Sequence, residues 1–186
     1  VSAWEKFTPI GVRTSEGELL ISGTAGTKQV SLAVKYADYG VRLMMSNSGY
    51  KNTGTLPAKL SSENMTFTME KTGTFSLLVD GAVLLRGDGF EILTDGEAVQ
   101  SVRLMLDAED SDHFYGFGMK YDSLNQRGKA VDIYCVNWYK EQAGESYAPV
   151  PYYFVPDKYG LFVDSTYYSK FEMCTANTGD TCVIDV

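Results

Sequence analysis

The chain has 186 residues, 44% of them hydrophobic, and a formal net charge of −8. This composition is typical of a folded globular protein, and the length suits one sizeable core. The sixteen Lys and Arg residues are scattered along an acidic chain, which argues against a nucleic-acid partner, and no apolar run is long enough for a membrane helix.

Short runs of β-branched, aliphatic and aromatic residues follow one another along the whole chain, separated by turns that contain glycine. In chain order they include ELLIS, VSLAVKY, GVRLMM, MTFTME, FSLLVD, AVLLR, FEIL, SVRLMLDA, FYGFG, VDIYCV, PYYFV, GLFVD, KFEMC and CVIDV. Such a series predicts strands, and no segment of eleven residues has a helical period. We therefore expect an all-β fold, a large antiparallel β-sandwich or barrel, with residues 1–186 forming a single domain.

Alternation within the runs predicts which side chains are buried. In MTFTME the apolar residues alternate with Thr and Glu, and SVRLMLD also has a period of two. The side chains that we expect in the core are Phe67, Val102, Leu104, Leu106 and Phe162.

Three glycine-containing segments predict particular turns or irregularities. Asp80-Gly81 is a strong signal for a type I′ hairpin, and Asp95-Gly96 is a second one. Gly116-Phe117-Gly118 superficially resembles a phosphate-binding loop, but it lacks a third glycine and a following helix. It is better explained as a bulged strand in which glycine permits a close approach of two backbones.

Three cysteines are too few and too irregularly spaced for a disulfide scaffold or a zinc site. Cys174 and Cys182 lie on either side of the turn TANTGDT, so a hairpin could place them opposite each other. Two interpretations stay open: a bonded pair, or two small thiols packed on one hairpin.

Nothing in the chain predicts catalysis by its own residues. His113 is the single histidine, and we interpret it as a residue at the edge of a strand. No group of His, Cys and carboxylates has the spacing of a metal site, and no motif indicates a cofactor. We therefore expect no metal and no cofactor in this chain. Acidic residues are plentiful, and their positions in the sequence do not rank any two of them as a glycosidase pair, because that chemistry needs a fixed carboxyl separation.

From Phe114 onward, five motifs resemble a known family. The segments FYGFGMKYD, LNQRG, VDIYCVN, YAPVPYYF and YGLFVDS occur in the order found in the N-terminal domain of glycoside hydrolase family 31, a family of α-glycosidases. The first hundred residues are similar to that domain only more loosely, through VRLMM and the hairpin FSLLVDGAVLL.

The resemblance implies a galactose mutarotase-like β-sandwich that precedes a catalytic (β/α)₈ barrel in a longer chain. The catalytic aspartates of the family belong to the barrel, so residues 1–186 alone should be inactive. The final strand TCVIDV, which ends without a tail, also leads us to expect that more chain follows. The partners implied are an α-glycoside and the parent enzyme's barrel, with no nucleic acid and no membrane.

The resemblance also implies a sugar-contacting loop that begins at Asn137 and ends near Tyr147. Asn137, Trp138 and Tyr139 are the predicted substrate-binding residues, because flat aromatic faces stack on sugar rings. The chain departs from the common family pattern at Met119, where many members have Glu, and at Tyr139, where many have Asp. The second departure removes the usual aspartate contact with the substrate.

Three functions stay open on this evidence. The chain is an accessory domain of a family 31 enzyme, a free-standing carbohydrate-binding sandwich, or a structural or adhesive module without a sugar ligand. For Trp138 and Tyr139, the alternative to sugar binding is sealing a domain interface, where aromatic residues are also enriched. If the chain normally packs on a barrel, we expect an exposed apolar patch with aromatics near residues 138–153.

Overall fold

The computed structural model describes residues 3–96, 98–136 and 146–186. Fifteen strands and no helix occur among these residues, and all the pairs of strands whose register is known run antiparallel. The prediction of an all-β, antiparallel fold is confirmed. The chain divides into two compact units, one ending at Val102 and one beginning at Arg103.

The first unit is built from consecutive antiparallel strands. They are β1 (Trp4–Ser15), β2 (Glu18–Ala25), β3 (Lys28–Ala37), β4 (Gly40–Ser46), β5 (Ala58–Ser61), β6 (Met65–Met69), β7 (Phe75–Val79), β8 (Ala82–Asp95) and the beginning of β9 (Ala98–Asp107). The sheet order runs β9-β8-β1-β2-β3-β4, and β8 also pairs with β7, which continues to β6 and β5. Short connections join the strands that are neighbours in sequence, whereas β1 and β8, which are distant in sequence, pair over a short stretch that includes Trp4 and Leu93.

Aromatic side chains pack in the core of the first unit. The Phe75 ring lies between Phe67 and Phe90, with centroid distances of 5.7 and 5.6 Å. The Tyr36 hydroxyl accepts a hydrogen bond from the Phe67 N–H at 3.0 Å and donates to the Leu60 carbonyl at 2.7 Å. This hydroxyl therefore ties β3 to β5 and β6 by a polar contact beside the apolar core.

The predicted hairpins are confirmed. Asp80 and Gly81 connect β7 and β8 with φ values of 50° and 80°, and positive φ at both positions is the mark of a type I′ turn. The turn between β8 and β9 contains Gly96 at φ 57°. Both hairpins follow from the ability of Gly, and to a lesser degree Asp, to adopt left-handed backbone conformations.

The second unit contains two sheets. Its strands are the end of β9, β10 (Tyr115–Gly118), β11 (Lys129–Ile133), β12 (Pro149–Val155), β13 (Tyr159–Phe162), β14 (Ser169–Met173) and β15 (Thr181–Asp185). One sheet has the order β11-β14-β15-β9, and the other has the order β10-β12-β13. At one end of the first sheet, the Arg103 guanidinium donates to both carboxylate oxygens of Asp185, at 2.7 and 2.8 Å.

Aromatic rings join the two sheets of the second unit. Phe171 of β14 meets Phe117 of β10 at a centroid distance of 5.4 Å and Tyr153 of β12 at 6.1 Å. Phe117 and Tyr153 also stack on each other at 5.4 Å, and all three side chains are fully buried. Edge-to-face and stacked pairs of this kind add specific geometry to the burial of apolar area. Within this unit the two sheets therefore face each other as in a β-sandwich.

The predicted core is correct at some positions and wrong at one. Phe67 and Leu106 are buried, whereas Val102 and Leu104 are half-buried. Phe162 is 60% exposed, so its predicted burial is wrong. It lies on the outward face of β13, because side chains alternate along a strand and Tyr159 and Leu161 occupy the inward positions.

The segment Gly116-Phe117-Gly118 forms the predicted irregular strand. Its φ values are 121°, 64° and 79°, and the register with β12 shifts between Gly116, which faces Tyr153, and Gly118, which faces Pro149. A Cβ atom at Gly116 would lie 2.7 Å from the Tyr152 carbonyl oxygen, and one at Gly118 would overlap the Ala148 carbonyl oxygen. Only glycine permits this approach of β10 to β12.

Polar contacts from the segment after β10 hold the beginning of that strand. Asn125 Oδ1 accepts hydrogen bonds from the N–H groups of Phe114 and Arg127, each at 3.1 Å. The Arg127 guanidinium donates to the carbonyls of Glu109 and Asp112 at 2.9 and 3.3 Å. The motif LNQRG therefore acts as a backbone clamp on the chain that enters β10.

A buried carboxylate lies in the same turn. Asp112 Oδ2 accepts the Glu109 N–H at 2.9 Å, and Oδ1 contacts Lys158 Nζ at 2.5 Å. Lys158 Nζ also lies 2.8 Å from the Glu109 carboxylate. The side chain of Asp112 is 7% exposed and that of Glu109 is 74% exposed. The Lys158 ammonium group therefore forms ion pairs with one buried and one solvent-exposed carboxylate.

The close approach at Gly118 leads to a first prediction. Gly118→Ala should lower the free energy of unfolding by at least about 3 kcal/mol, because it adds a clash with backbone to an unfavourable φ. Gly128→Ala is the matched control, since Gly128 has φ 82° and nothing within 4 Å of an added Cβ. It should cost only about 1 to 2 kcal/mol. Urea unfolding measures both, and equal losses would contradict the close approach.

The two carboxylates around Lys158 lead to a second prediction. Asp112→Asn should lower the free energy of unfolding by about 2 kcal/mol, because it weakens a charge-assisted contact and leaves a buried polar group poorly paired. Glu109→Gln should change it by less than about 0.5 kcal/mol, since exposed ion pairs contribute little. If urea unfolding gave the larger loss for Glu109→Gln, the buried pair would not be the stabilising one.

Candidate functional site

The outward face of the β10-β12-β13 sheet carries a continuous set of aromatic side chains. Along β12, Val150, Tyr152 and Phe154 are exposed, whereas Tyr153 and Val155 are buried. Successive side chains of a strand point to opposite faces, so the sequence PVPYYFV places one aromatic set inside and another outside. The outward set is unusual because large apolar side chains on one face are normally covered.

Neighbouring strands extend this outward set. Tyr115 of β10 lies opposite Phe154, with ring centroids 5.7 Å apart, and Phe162 of β13 lies opposite Tyr152. Tyr152 and Phe154 are 6.4 Å apart, and their planes differ by 29°. We call Tyr115, Tyr152, Phe154 and Phe162 the aromatic face.

A glycine makes room for the central ring of the aromatic face. A Cβ atom at Gly160 of β13 would lie 2.6 Å from Tyr152 Oη and 3.0 Å from Cε2 of the same ring. The Tyr152 ring therefore lies across β13 instead of standing away from the sheet. This arrangement presents the flat side of the ring outward.

Buried phenols lie on the inner side of the same sheet. The hydroxyls of Tyr153 and Tyr159 are 3.3 Å apart, and burial raises the pKa of both phenols above the usual value. Both groups therefore stay neutral and hydrogen-bonded at physiological pH. They support the sheet, and they have no access to a substrate on its outer face.

The ends of the predicted sugar-contacting loop meet at a backbone bridge. The Val136 N–H donates to the Ser146 carbonyl at 3.1 Å, and Cys135 forms an isolated parallel bridge with Ser146. The Cys135 thiol lies 2.9 Å from the Tyr147 carbonyl oxygen. Ser146 is fully buried, and its hydroxyl has no hydrogen-bond partner among the described residues.

The predicted substrate-binding residues Asn137, Trp138 and Tyr139 lie outside the described residues. The structure describes the residues on either side of them, Val136 and residues 146–148, which we call the frame. Tyr147, the predicted end of the loop, is 42% exposed. Met119, one of the two departures from the family pattern, is paired to this frame, because its N–H donates to the Ala148 carbonyl at 3.2 Å.

Sequence reasoning anticipated part of the exposed surface. The expected apolar patch near residues 138–153 includes Tyr147, Val150 and Tyr152 among the described residues, all of them exposed. Sequence reasoning did not anticipate that Phe154 and Phe162 are exposed. The alternation in PVPYYFV was an available signal for Phe154. The exposure of Phe162 depends on the register of β12 and β13, which the sequence alone does not give.

The single histidine lies just before β10, outside any group of metal ligands among the described residues. His113 is exposed, and its Nδ1 lies 2.9 Å from Asn125 Nδ2, which makes it part of the clamp before β10. Among residues 3–96, 98–136 and 146–186, no three His, Cys, Asp or Glu side chains are grouped as metal ligands. In the same part of the chain, no helix is long and apolar enough to span a membrane.

The sequence matches a family model and several enzymes. Residues 13–172 match the glycosyl hydrolase 31 N-terminal galactose mutarotase-like domain. An isomaltosyltransferase from Sporosarcina globispora is 29% identical over 96% of the chain, and a 1,3-alpha-isomaltosidase from Kribbella flavida is 36% identical over 39% of it. The chain spans about a fifth of the length of the first enzyme (19%) and about a tenth of the second (11%).

Solved structures have the same fold. The cycloalternan-forming enzyme from Listeria monocytogenes, in complex with a pentasaccharide substrate, matches 100% of the chain with a TM-score of 0.86 and 24% identity. The GH31 dextranase of Flavobacterium johnsoniae matches 98% of the chain with a TM-score of 0.70 and 15% identity. The chain covers 20% and 25% of these two proteins.

The family model extends over most of the chain and includes all five motifs that follow Phe114, and the solved structures confirm a galactose mutarotase-like fold. The chain therefore belongs to the family of glycosyl hydrolase 31 N-terminal galactose mutarotase-like domains.

Proposed function

We propose that this chain is the non-catalytic N-terminal domain of a family 31 enzyme that acts on α-gluco-oligosaccharides. In this proposal the aromatic face packs on the catalytic barrel, and residues 137–145 form part of the sugar-binding site. The observation that carries the proposal is the aromatic face itself. One sheet of this domain exposes a row of large aromatic side chains.

Burial of the aromatic face against another domain agrees with its chemistry. Tyr152, Phe154 and Phe162 expose 39%, 39% and 60% of their surfaces. A contiguous apolar patch of this kind on an isolated unit is typical of a surface that normally packs on a partner, and aromatic residues are enriched in such interfaces. Domain interfaces within one chain bury similar surfaces.

The residues that flank 137–145 meet each other in the fold, because the Val136 N–H donates to the Ser146 carbonyl. Trp138 and Tyr139 follow Val136 closely in the sequence, and aromatic rings have the flat apolar faces that stack on sugars. This supports the proposal that the segment contributes to a sugar site.

The names of the relatives indicate a substrate class. The matched enzymes include an isomaltosyltransferase and a 1,3-alpha-isomaltosidase, and one structural neighbour is a complex with a pentasaccharide substrate. We therefore propose an oligosaccharide with isomaltosyl units as the substrate of the complete enzyme. Both transfer and hydrolysis of the glycosyl group are compatible with this class.

One observation favours a second function, a free-standing carbohydrate-binding module. The planes of Tyr115 and Phe154 differ by 35°, and those of Tyr152 and Phe154 by 29°, so neighbouring rings of the aromatic face have similar orientations. A row of exposed rings suits stacking on a polysaccharide as well as packing on a protein. The two functions differ in what covers the aromatic face, and this can be measured.

We expect Trp138→Ala and Tyr139→Ala, each made in the full-length enzyme, to lower kcat/KM by an amount equivalent to about 1 to 3 kcal/mol. The melting temperature should remain unchanged, because surface-loop substitutions rarely alter stability by more than about 0.5 kcal/mol. The assay uses an isomaltosyl-containing oligosaccharide. Tyr39→Ala is the matched control, since Tyr39 is 96% exposed in the other unit. Normal kinetics with a reduced melting temperature would instead assign Trp138 and Tyr139 to a domain interface.

Substitution of the aromatic face separates domain packing from sugar binding. Phe162→Ser in the full-length enzyme should lower the melting temperature, because it removes apolar area from the proposed interface. The isolated 186-residue chain should show no such loss, since Phe162 is already exposed there. A free-standing module would give the opposite result: an unchanged melting temperature of the whole protein and weaker binding to an insoluble α-glucan.

A further inference from the structure

Two thiols lie in contact at the end of the β14–β15 hairpin. Cys174 follows the last residue of β14, and Cys182 lies in β15, opposite Met173 in the strand register. The two sulfur atoms are 3.7 Å apart and are not bonded. The hairpin therefore brings the two residues together, as the sequence suggested it could.

The turn between the two cysteines is tightly folded. The Thr175 N–H donates to Thr178 Oγ1 at 2.9 Å, and the Gly179 N–H donates to the Thr175 carbonyl at 2.9 Å. Cys174 and Gly179 have positive φ values of 55° and 61°. Because hydrogen bonds close the turn on itself, the sulfur atoms are held together by the backbone and not by a chance side-chain orientation.

The two thiols have different environments. Cys182 is fully buried, whereas Cys174 is partly exposed and can be reached by a small reagent. A hydrogen bond from the Cys182 thiol lowers the pKa of Cys174; burial opposes this, and the nearby charge of Arg127 supports it. The same contact with Cys174, together with burial, raises the pKa of Cys182. An accessible sulfur with thiolate character beside a buried thiol is the arrangement of an attacking and a resolving cysteine.

We propose that Cys174 and Cys182 form a redox-sensitive dithiol that closes to an intramolecular disulfide on reaction with a low-molecular-weight disulfide. The Cys174 thiolate attacks one sulfur of the reagent, which forms a mixed disulfide and releases one thiolate that takes up a proton. Cys182 then gives up its proton, its sulfur attacks the Cys174 sulfur, and the second reagent thiolate leaves and takes up a proton. The protein loses two protons and two electrons, and the reagent is reduced to two thiols.

The third cysteine provides an internal comparison. Cys135 is exposed, and its thiol contacts the Tyr147 carbonyl rather than another sulfur. Cys135 can therefore form a mixed disulfide but has no neighbouring thiol among the described residues to resolve it. If exposure alone decided which thiol reacts, Cys135 would be modified most readily. If the proximity of two thiols decides it, Cys174 becomes linked to Cys182.

Peptide mapping tests the proposal on the native protein. The protein is incubated with oxidised glutathione, free thiols are alkylated, and the unreduced chain is cleaved on the N-terminal side of aspartates. Cleavage before Asp180 separates fragment 164–179, which contains Cys174, from fragment 180–184, which contains Cys182. We expect the two fragments to remain covalently joined, with a mass two hydrogens below their sum, and to separate on reduction.

Variants identify the attacking sulfur. Cys182→Ser should leave a stable glutathione adduct on Cys174, Cys174→Ser should leave Cys182 unmodified, and Cys135→Ser should form the joined fragments as the unsubstituted protein does. The proposal is overturned if the unsubstituted protein yields two separate alkylated fragments, or if it accumulates a glutathione adduct on Cys174 without the link. Both results are read on the unsubstituted protein, so they do not depend on the stability of any variant.

Discussion

The close approach of β10 to β12 is the constraint on which the second unit depends. Gly116, Phe117 and Gly118 all have positive φ, and the single residue between the glycines faces three residues of β12. This irregularity turns the Phe117 ring inward, where it is fully buried and stacks on Tyr153. In a regular strand Phe117 would point in the same direction as Tyr115, toward the outer face.

Two aromatic layers result from this local geometry. The inner layer joins the two sheets of the unit through Phe117, Tyr153 and Phe171. The outer layer is the aromatic face, whose side chains remain at least partly exposed. Close packing of the inner rings restricts how the sheet can deform, and this would keep the outer rings in a fixed orientation toward the proposed partner domain.

The same sheet connects the fold to the proposed sugar site. Gly118 passes close to Ala148, and the Met119 N–H donates to the Ala148 carbonyl, two residues after Ser146. Ser146 in turn closes the frame of the 137–145 segment through Val136. The irregular strand β10, Ser146 and the start of β12 therefore form one continuous piece of structure. Met119, where many family members have Glu, is hydrogen-bonded within it.

Local signals in the sequence predicted local structure well. Asp80-Gly81 could be assigned to a type I′ turn because few other residues tolerate two consecutive positive φ values, and the paired glycines of GFG indicated a close backbone approach for the same reason. Phe162 was assigned to the wrong face, since alternation shows that two faces differ but not which one is covered. The clamp formed by Asn125 and Arg127 was recognised only as a family motif, because its partners are backbone groups that the sequence does not identify.

A crystal structure of the full-length protein with a bound isomaltosyl-containing oligosaccharide tests the central claim most directly. The account predicts that Tyr152 and Phe162 are buried against another domain and that Trp138 or Tyr139 lies within about 4 Å of the sugar. A sugar stacked on Tyr152 and Phe162, or both rings left in solvent, would contradict it.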